Sequence, residues 1–293
     1  VTSETQTILL ALSSAFLGAA SSIALTRALA KVGSFALAQV ANAGNALFLG
    51  VYGLWVFDIS IFRWEAFAWF GVLGVSNFCI NRWVYYTGMR VMGPSRHVTI
   101  TSLSPLPTLV IAVVVLGEEP SRLVLLGTAL VVAGIAAVSY APSKGKWFQA
   151  GIGWSLTAML MFAVGGYMRN RGMNLMPASA LLTAWAAAVA VPASEIFRPL
   201  LPKHFFSWKG ATWALAPVIV LGIALNSVQQ VFLNLSLRDH LSLAVPVLSA
   251  TPVFVMLFSA VFLRDLERLN RRVVVGVLIT ITGMTAIGIG RHG

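Results

Sequence analysis

Of 293 residues, 58% are hydrophobic and only 10% are charged, whereas a soluble domain carries about a quarter charged residues. That balance excludes a soluble globular protein. The formal net charge of +11 does not point to nucleic acid, because the basic residues stand singly and in pairs between apolar runs; they read as topology anchors and contacts to anionic lipid headgroups.

A helix needs about 20 apolar residues to cross a bilayer core. Ten such runs follow along the chain. The first five are Thr7–Leu29, Phe35–Phe57, Phe67–Met89, Val98–Leu116 and Leu123–Tyr140. The second five are Gly151–Tyr167, Ala178–Phe197, Thr212–Leu235, Leu243–Leu263 and Val273–Ile289. The first run continues at spanning length, too long for a signal-peptide core. Connections are short and polar, with no room for a soluble domain. The longest, Arg198–Gly210, contains Pro199, Pro202 and Phe205–Phe206, which suits a segment lying along the interface. The single cysteine, Cys79, excludes an internal disulfide and a cysteine metal cluster.

One stretch occurs twice. Ser102–Glu118 (SLSPLPTLVIAVVVLGE) aligns without a gap to Ser249–Asp265 (SATPVFVMLFSAVFLRD). Each copy is a hydroxyl-rich segment, a proline and an apolar run ending in an acid. A proline inside a helix removes a backbone hydrogen bond and bends it, and a membrane tolerates that only where other groups satisfy the freed carbonyl. The copies are followed by Gly127 and Gly134, and by Gly276 and Gly283, at equal spacing. Ten spans then divide into five plus five, at 1–143 and 144–293. Five is odd, so the second half enters the membrane inverted, the architecture of secondary transporters with a site near the midplane. The expected fold is an all-α integral membrane protein of ten transmembrane helices, as two inverted five-helix repeats around a central cavity.

Polar residues fall in stripes. The third span carries Asn77, Asn81 and Tyr85, four apart on one helix face, with Arg82 beside them. At the same offset in the eighth span stand Asn226, Gln230 and Asn234, with Gln229 adjacent. The second span adds Gln39, Asn42 and Asn45. Amides in hydrocarbon are costly unless hydrogen-bonded, so they face the bundle interior and mark a path; the plainer alternative is interhelical bridging. Arg82 either snorkels to the interface or offers fixed positive charge to an anion. His97, at the start of the fourth span, and His240, in the loop before the ninth, read as interfacial residues, the alternative for His97 being proton coupling. Trp83 and Trp185 lie deeper than the other tryptophans and read as packing or lipid contacts.

No acid falls well inside a span, which argues against a buried carboxylate proton relay. No GxxxxGK[ST] loop, HExxH motif, histidine cluster or nucleophile elbow is present, so no catalytic residue, cofactor or metal is expected. The charge bias, with Arg169 counted at a span end, favours both termini outside; both termini in the cytosol is the alternative.

The segment SPLPTLVIAVVVLGEEPS followed by LLGTALVVAGIAAV resembles the EamA-type carriers of the drug/metabolite transporter superfamily. The second copy fits more loosely, with Arg264–Asp265 where Gly117–Glu118 stands in the first. The resemblance implies alternating access without ATP around a cavity lined by the third- and eighth-span stripes. It also implies that Ser102, Ser104, Pro105, Ser249, Thr251 and Pro252 line or flex the gates. Abundant amides with few fixed charges suit a zwitterion, so the expected activity is export of small polar metabolites, amino acids or derivatives above all. The alternatives are exchange of anionic sugar phosphates or nucleotide sugars and, in another class, a membrane-embedded lipid-modifying enzyme or assembly subunit. The expected setting is the bacterial cytoplasmic membrane, as a monomer or weak homodimer, with a small-molecule substrate and no nucleic acid.

Overall fold

A computed structural model of the chain describes residues 3–104, 106–107, 122–139, 147–239, 244, 247–248, 250–263 and 271–290. Among these the fold is all helix. The first half contains α1 (Ser3–Leu29), α2 (Ser34–Val56), α3 (Trp64–Leu73), a π-helical segment (Gly74–Asn81), α4 (Arg82–Met92), α5 (Pro94–Thr101) and α6 (Arg122–Ser139). The second half contains α7 (Trp147–Leu175), α8 (Ser179–Phe197), α9 (Ala216–Asp239), α10 (Thr251–Phe262) and α11 (Arg271–Gly290).

Among the described residues, five helical stretches are long and apolar enough to cross a membrane: Thr5–Leu29, Ser34–Val56, Gly151–Leu175, Ser179–Leu200 and Trp213–Arg238. The expected fourth and ninth spans are described only in part, and the boundary at 143/144 lies outside the described residues. Large apolar side chains such as Leu47, Val51, Leu54 and Trp55 point outward from α2. A surface of that kind suits lipid rather than water.

The turn between α4 and α5 is set by two residues. Gly93 takes φ 84°, a left-handed conformation open to glycine, and its N–H donates to the Met89 carbonyl at 2.9 Å. Pro94 follows as the first residue of α5, where a missing N–H breaks no helical bond. The fourth span therefore begins four residues earlier than the expected Val98.

Pairing between helices follows one pattern in both halves. α6 packs along α11, and α2 along α8. α1 packs along α9, while α3 and α4 pack along α7. The glycine pairs sit at the first of these seams. A Cβ on Gly134 would lie 2.7 Å from the Gly276 carbonyl oxygen, and one on Gly283 would lie 2.6 Å from the Gly127 carbonyl oxygen. Only glycine lets the two backbones approach so closely.

The duplicated proline segments are helix breaks rather than bends. α5 ends at Thr101, and a turn occupies Ser102–Ser104. Leu103 N–H donates to Ile100 O at 3.1 Å and Leu106 N–H to Leu103 O at 2.8 Å. At matching positions of the second copy, Ala250 N–H donates to Val247 O and Val253 N–H to Ala250 O, both at 3.0 Å. Pro252 thus stands in the first turn of α10, correcting the expectation of a proline inside a continuous helix. Of the expected gate residues, Ser102, Ser104 and Thr251 flank the turns and are half-buried; Pro105 and Ser249 lie outside the described residues.

Two apolar cores flank the centre. One joins Leu25 and Leu29 of α1, Leu37 and Ala41 of α2, Met89 of α4 and Ile223 of α9. The other joins Phe70 of α3, Phe78 and Cys79 of the π segment, Met173 of α7 and Ala186 and Ala190 of α8. The polar stripes lie between them.

Candidate substrate site

The third span does not stay a regular α-helix. From Gly74 to Asn81 it widens into a π-helix, and Arg82 N–H reaches back five residues to the Asn77 carbonyl. Such insertions shift carbonyls off the regular ladder and recur at functional sites. The Phe78 carbonyl accepts from Asn42 Nδ2 on α2, at 2.8 Å. Asn42 is therefore a clamp: its amide nitrogen holds the π segment and its amide oxygen faces the other way.

That oxygen accepts from Arg82 Nη1 at 2.8 Å. Arg82 Nη2 donates to Asn226 Oδ1 of α9 at 3.0 Å. With the Asn45 amide oxygen turned toward the guanidinium, it accepts from Nη1 at 3.1 Å and Nη2 at 2.9 Å, and Asn45 Nδ2 donates to Ser227 Oγ at 3.0 Å; network geometry rather than atom type decides such amide orientations. Arg82 is 8% exposed. It does not snorkel. The guanidinium sits inside the bundle, ringed by amides from α2 and α9.

A second guanidinium stands close by. Arg169 of α7 is 7% exposed, and its Nη1 donates to Asn234 Oδ1 at 2.6 Å. The Arg82 and Arg169 guanidinium carbons lie 4.7 and 5.5 Å from the centre of the same Phe78 ring, so one aromatic ring meets two cations. Among the described residues neither arginine has a carboxylate partner; the ion pair found is Arg198–Glu195 at the surface, 3.0 Å. The expectation that Arg169 is a span-end anchor is thus corrected, and it leaves the charge bias used for orientation. The reason is length. α7 continues to Leu175, and the first proline beyond it is Pro177, so the helix carries Arg169 past the expected end at Tyr167 and into the interior.

The remaining stripe residues distribute unevenly. Asn81 Nδ2 donates to Asn77 Oδ1 at 3.3 Å, so those two stay together. Tyr85 parts from them: its hydroxyl is 3.4 Å from Ser22 Oγ, and its ring meets His97 edge-on at 4.6 Å. His97 is fully buried, with Nδ1 2.8 Å from Ser155 Oγ, which corrects its reading as an interfacial residue. On α9, Gln229 Nε2 donates to Ser14 Oγ at 3.2 Å. Asn234 Nδ2 donates to Thr183 Oγ1 at 2.8 Å and Ser179 Oγ at 3.2 Å. Gln230 stands one turn from both Asn226 and Asn234, and its Oε1 is buried without a hydrogen-bond partner.

One end of this seam is covered by the loop after α8. Phe205 packs edge-on to Trp83 at 5.5 Å, Trp83 packs on Trp154 at 5.4 Å, and Phe206 meets Phe35 at 4.7 Å. Gly33 N–H ties the loop down by donating to Ser207 O at 2.8 Å. Trp83 is therefore packed inside, beneath the loop. Trp185 is 41% exposed and donates its indole N–H to the Phe67 carbonyl at 2.9 Å, a packing and lipid-facing role.

The profile of the EamA-like transporter family matches residues 5–140. That stretch, a little under half of the chain, is similar to the EamA-like transporters, a family of the drug/metabolite transporter superfamily. Together with the apolar helices, this makes the chain an integral, multi-pass membrane protein. A solved crystal structure superposes on the chain with a TM-score of 0.67 at 16% identity, covering 98% of each chain. At that identity the likeness concerns the fold. No curated protein matches the sequence.

Sequence reasoning found Asn42 and Arg82 but missed Phe78 as the shared ring and Arg169 as the second cation. Phe78 carries no polar signal. Arg169 was visible only through the absence of a helix breaker before Pro177.

Proposed function

We propose that this chain is an alternating-access secondary carrier built as two inverted five-helix repeats, with its solute path along the seam between α2, α4, α7 and α9. The duplication is supported by the recurring turn bonds around Leu103 and Ala250 and by the reciprocal glycine contacts of α6 and α11. The cargo is a small polar metabolite bearing an anionic group, amino acids and related organic acids first.

The observation that carries this reading is Arg82, buried and held, among the described residues, by neutral amides and the Phe78 ring. A charge in this position is expensive and, inside a membrane bundle, marks a substrate or ion pathway. Its planar fork suits a carboxylate or phosphate. The amides hold it in place without neutralising it, so an anion gains its full attraction.

A second reading, exchange of sugar phosphates or nucleotide sugars, is favoured by Arg169. A pair of cations on one ring suits a cargo with more than one negative charge. Ammonium-bearing amino acids and doubly charged esters are therefore the two arms of one experiment. Purified carrier in proteoliposomes, loaded and challenged with amino acids, drugs, sugar phosphates and sugar nucleotides, is expected to accumulate at least one anionic or zwitterionic class. Uptake confined to cationic drugs, or absent for every class, removes the reading.

A further inference from the structure

Among the described residues, two amide oxygens at this seam lack donors. Asn81 Oδ1 and Gln230 Oε1 are buried without a hydrogen-bond partner. Asn81 is 1% exposed, and its amide nitrogen is committed to Asn77, so the oxygen is the group left over. It precedes Arg82 directly in sequence. Gln230 lies on α9 between Asn226, which holds Arg82, and Asn234, which holds Arg169. The two orphaned oxygens thus belong to the span that supplies Arg82 and to the helix that supplies an amide ligand to each arginine.

Buried polar groups are nearly always paired, and an exception calls for an explanation. Trp83 Nε1 and His97 Nε2 are also buried without a partner; the two exceptions that flank the arginines in sequence or through their amide ligands, Asn81 and Gln230, are acceptors, whereas the guanidiniums are donors. We propose that Asn81 Oδ1 and Gln230 Oε1 read a hydrogen-bond donor, an O–H or N–H, carried by the solute beside its anionic group. This rests on the carrier reading above and deepens it. The anion engages the guanidinium; the neighbouring donor satisfies oxygens that otherwise stay unpaired when the site closes. A site built in this way discriminates strongly against an analogue that lacks the donor, because the penalty falls on the protein's own buried groups. The oxygens are neutral, so a hydroxyl and an ammonium are both candidates, and matched solutes separate them.

The test uses the full chain in proteoliposomes and two matched sets. Succinate, malate and aspartate share one skeleton and differ in carrying no donor, a hydroxyl or an ammonium. Propyl phosphate and glycerol 3-phosphate differ in the same sense. Uptake of malate or aspartate is expected to exceed that of succinate by about tenfold or more, or glycerol 3-phosphate to exceed propyl phosphate by as much. Whichever of malate and aspartate is favoured identifies the donor. Gln230→Met keeps side-chain length and removes the acceptor; Asn81→Leu does the same on the third span at the expense of the bond to Asn77. In a variant that purifies as wild type, the preference is expected to fall toward one while residual uptake of the anion persists. Equal uptake within both sets, silence toward all five solutes, or an unchanged preference in both variants overturns the inference. The carrier reading fails separately, if the broader panel yields no transported anion or zwitterion.

Discussion

The third and eighth spans carry amides in the same register, yet they are built differently. Asn77, Asn81 and Tyr85 stand where Asn226, Gln230 and Asn234 stand. Continuing that register puts Phe78 opposite Ser227 and Arg82 opposite Val231. α9 runs as a regular α-helix through Asp239, whereas the third span widens into a π segment and delivers a guanidinium into the bundle. Amides recur in both spans; the guanidinium, the aromatic ring and the backbone irregularity belong to the third span alone, the second buried cation, Arg169, coming from α7. A frame of matching helices therefore holds an asymmetric centre, and the asymmetry is where recognition of a particular solute can reside.

Breaking the unmatched element should have the largest effect. Arg82→Gln is expected to lower the initial rate of uptake by about a hundredfold, since it removes the charge and leaves the oxygens of Asn42 and Asn226 without their donor, a change of about 3 kcal/mol. Arg82→Lys keeps the charge but cannot present the fork to both amides at once, and an intermediate loss of about tenfold is expected. Initial rates at equal reconstituted protein decide it. An Arg82→Gln carrier as fast as wild type would mean that the asymmetric centre is scaffold, not site.

A milder break tests the π segment itself. Asn42→Ala removes the donor to the Phe78 carbonyl and an acceptor for Arg82, with an expected loss of about 2 kcal/mol. Ser227→Ala, at the register position of Phe78 on the regular helix, removes one hydroxyl bonded to Asn45, with an expected loss of about 1 kcal/mol. Thermal unfolding of the purified protein ranks the two. Equal shifts would show that the π segment needs no clamp beyond an ordinary interhelical bond.

Much of this contrast was visible in the chain before its structure. The offset between the stripes placed both amide faces, and an arginine among amides in an apolar run drew attention to Arg82. The π segment was not visible, because a spacing of four fits a regular helix, and nothing in GVSNFCIN announces an added residue per turn. The register suggested one continuous stripe, but the widened turn sends Tyr85 toward Ser22 and His97 while Asn77 and Asn81 stay together. Pro252 was legible as a disruption but not as a helix start, since a proline favours the first turn as readily as it bends an interior. His97 looked interfacial because the fourth span was expected to begin at Val98. Gly93–Pro94, a helix stop followed at once by a start, is the signal that moves the boundary.

The smallest expected difference is also the most symmetric comparison. Gly18 of α1 faces Gln229 of the eighth span, and Gly165 of α7 faces Asn77 of the third. Each half thus offers a glycine from its first helix to an amide of the other half. The room differs. A Cβ on Gly18 would lie 3.3 Å from Gln229 Cγ, whereas one on Gly165 would lie 2.6 Å from both terminal atoms of the Asn77 amide. Gln229 is long and half-buried, and a few tenths of an ångström relieve the contact. Asn77 is short, buried and bonded to Asn81, so moving it disturbs the residue whose oxygen is proposed to read the solute. Gly165→Ala is accordingly expected to slow uptake by about fivefold and Gly18→Ala by less than about twofold, a modest overpacking effect in each case. If the alanine at 18 proves the more damaging, the functional weight lies on the eighth span, and the asymmetry drawn from Arg82 and the π segment has been assigned to the wrong half.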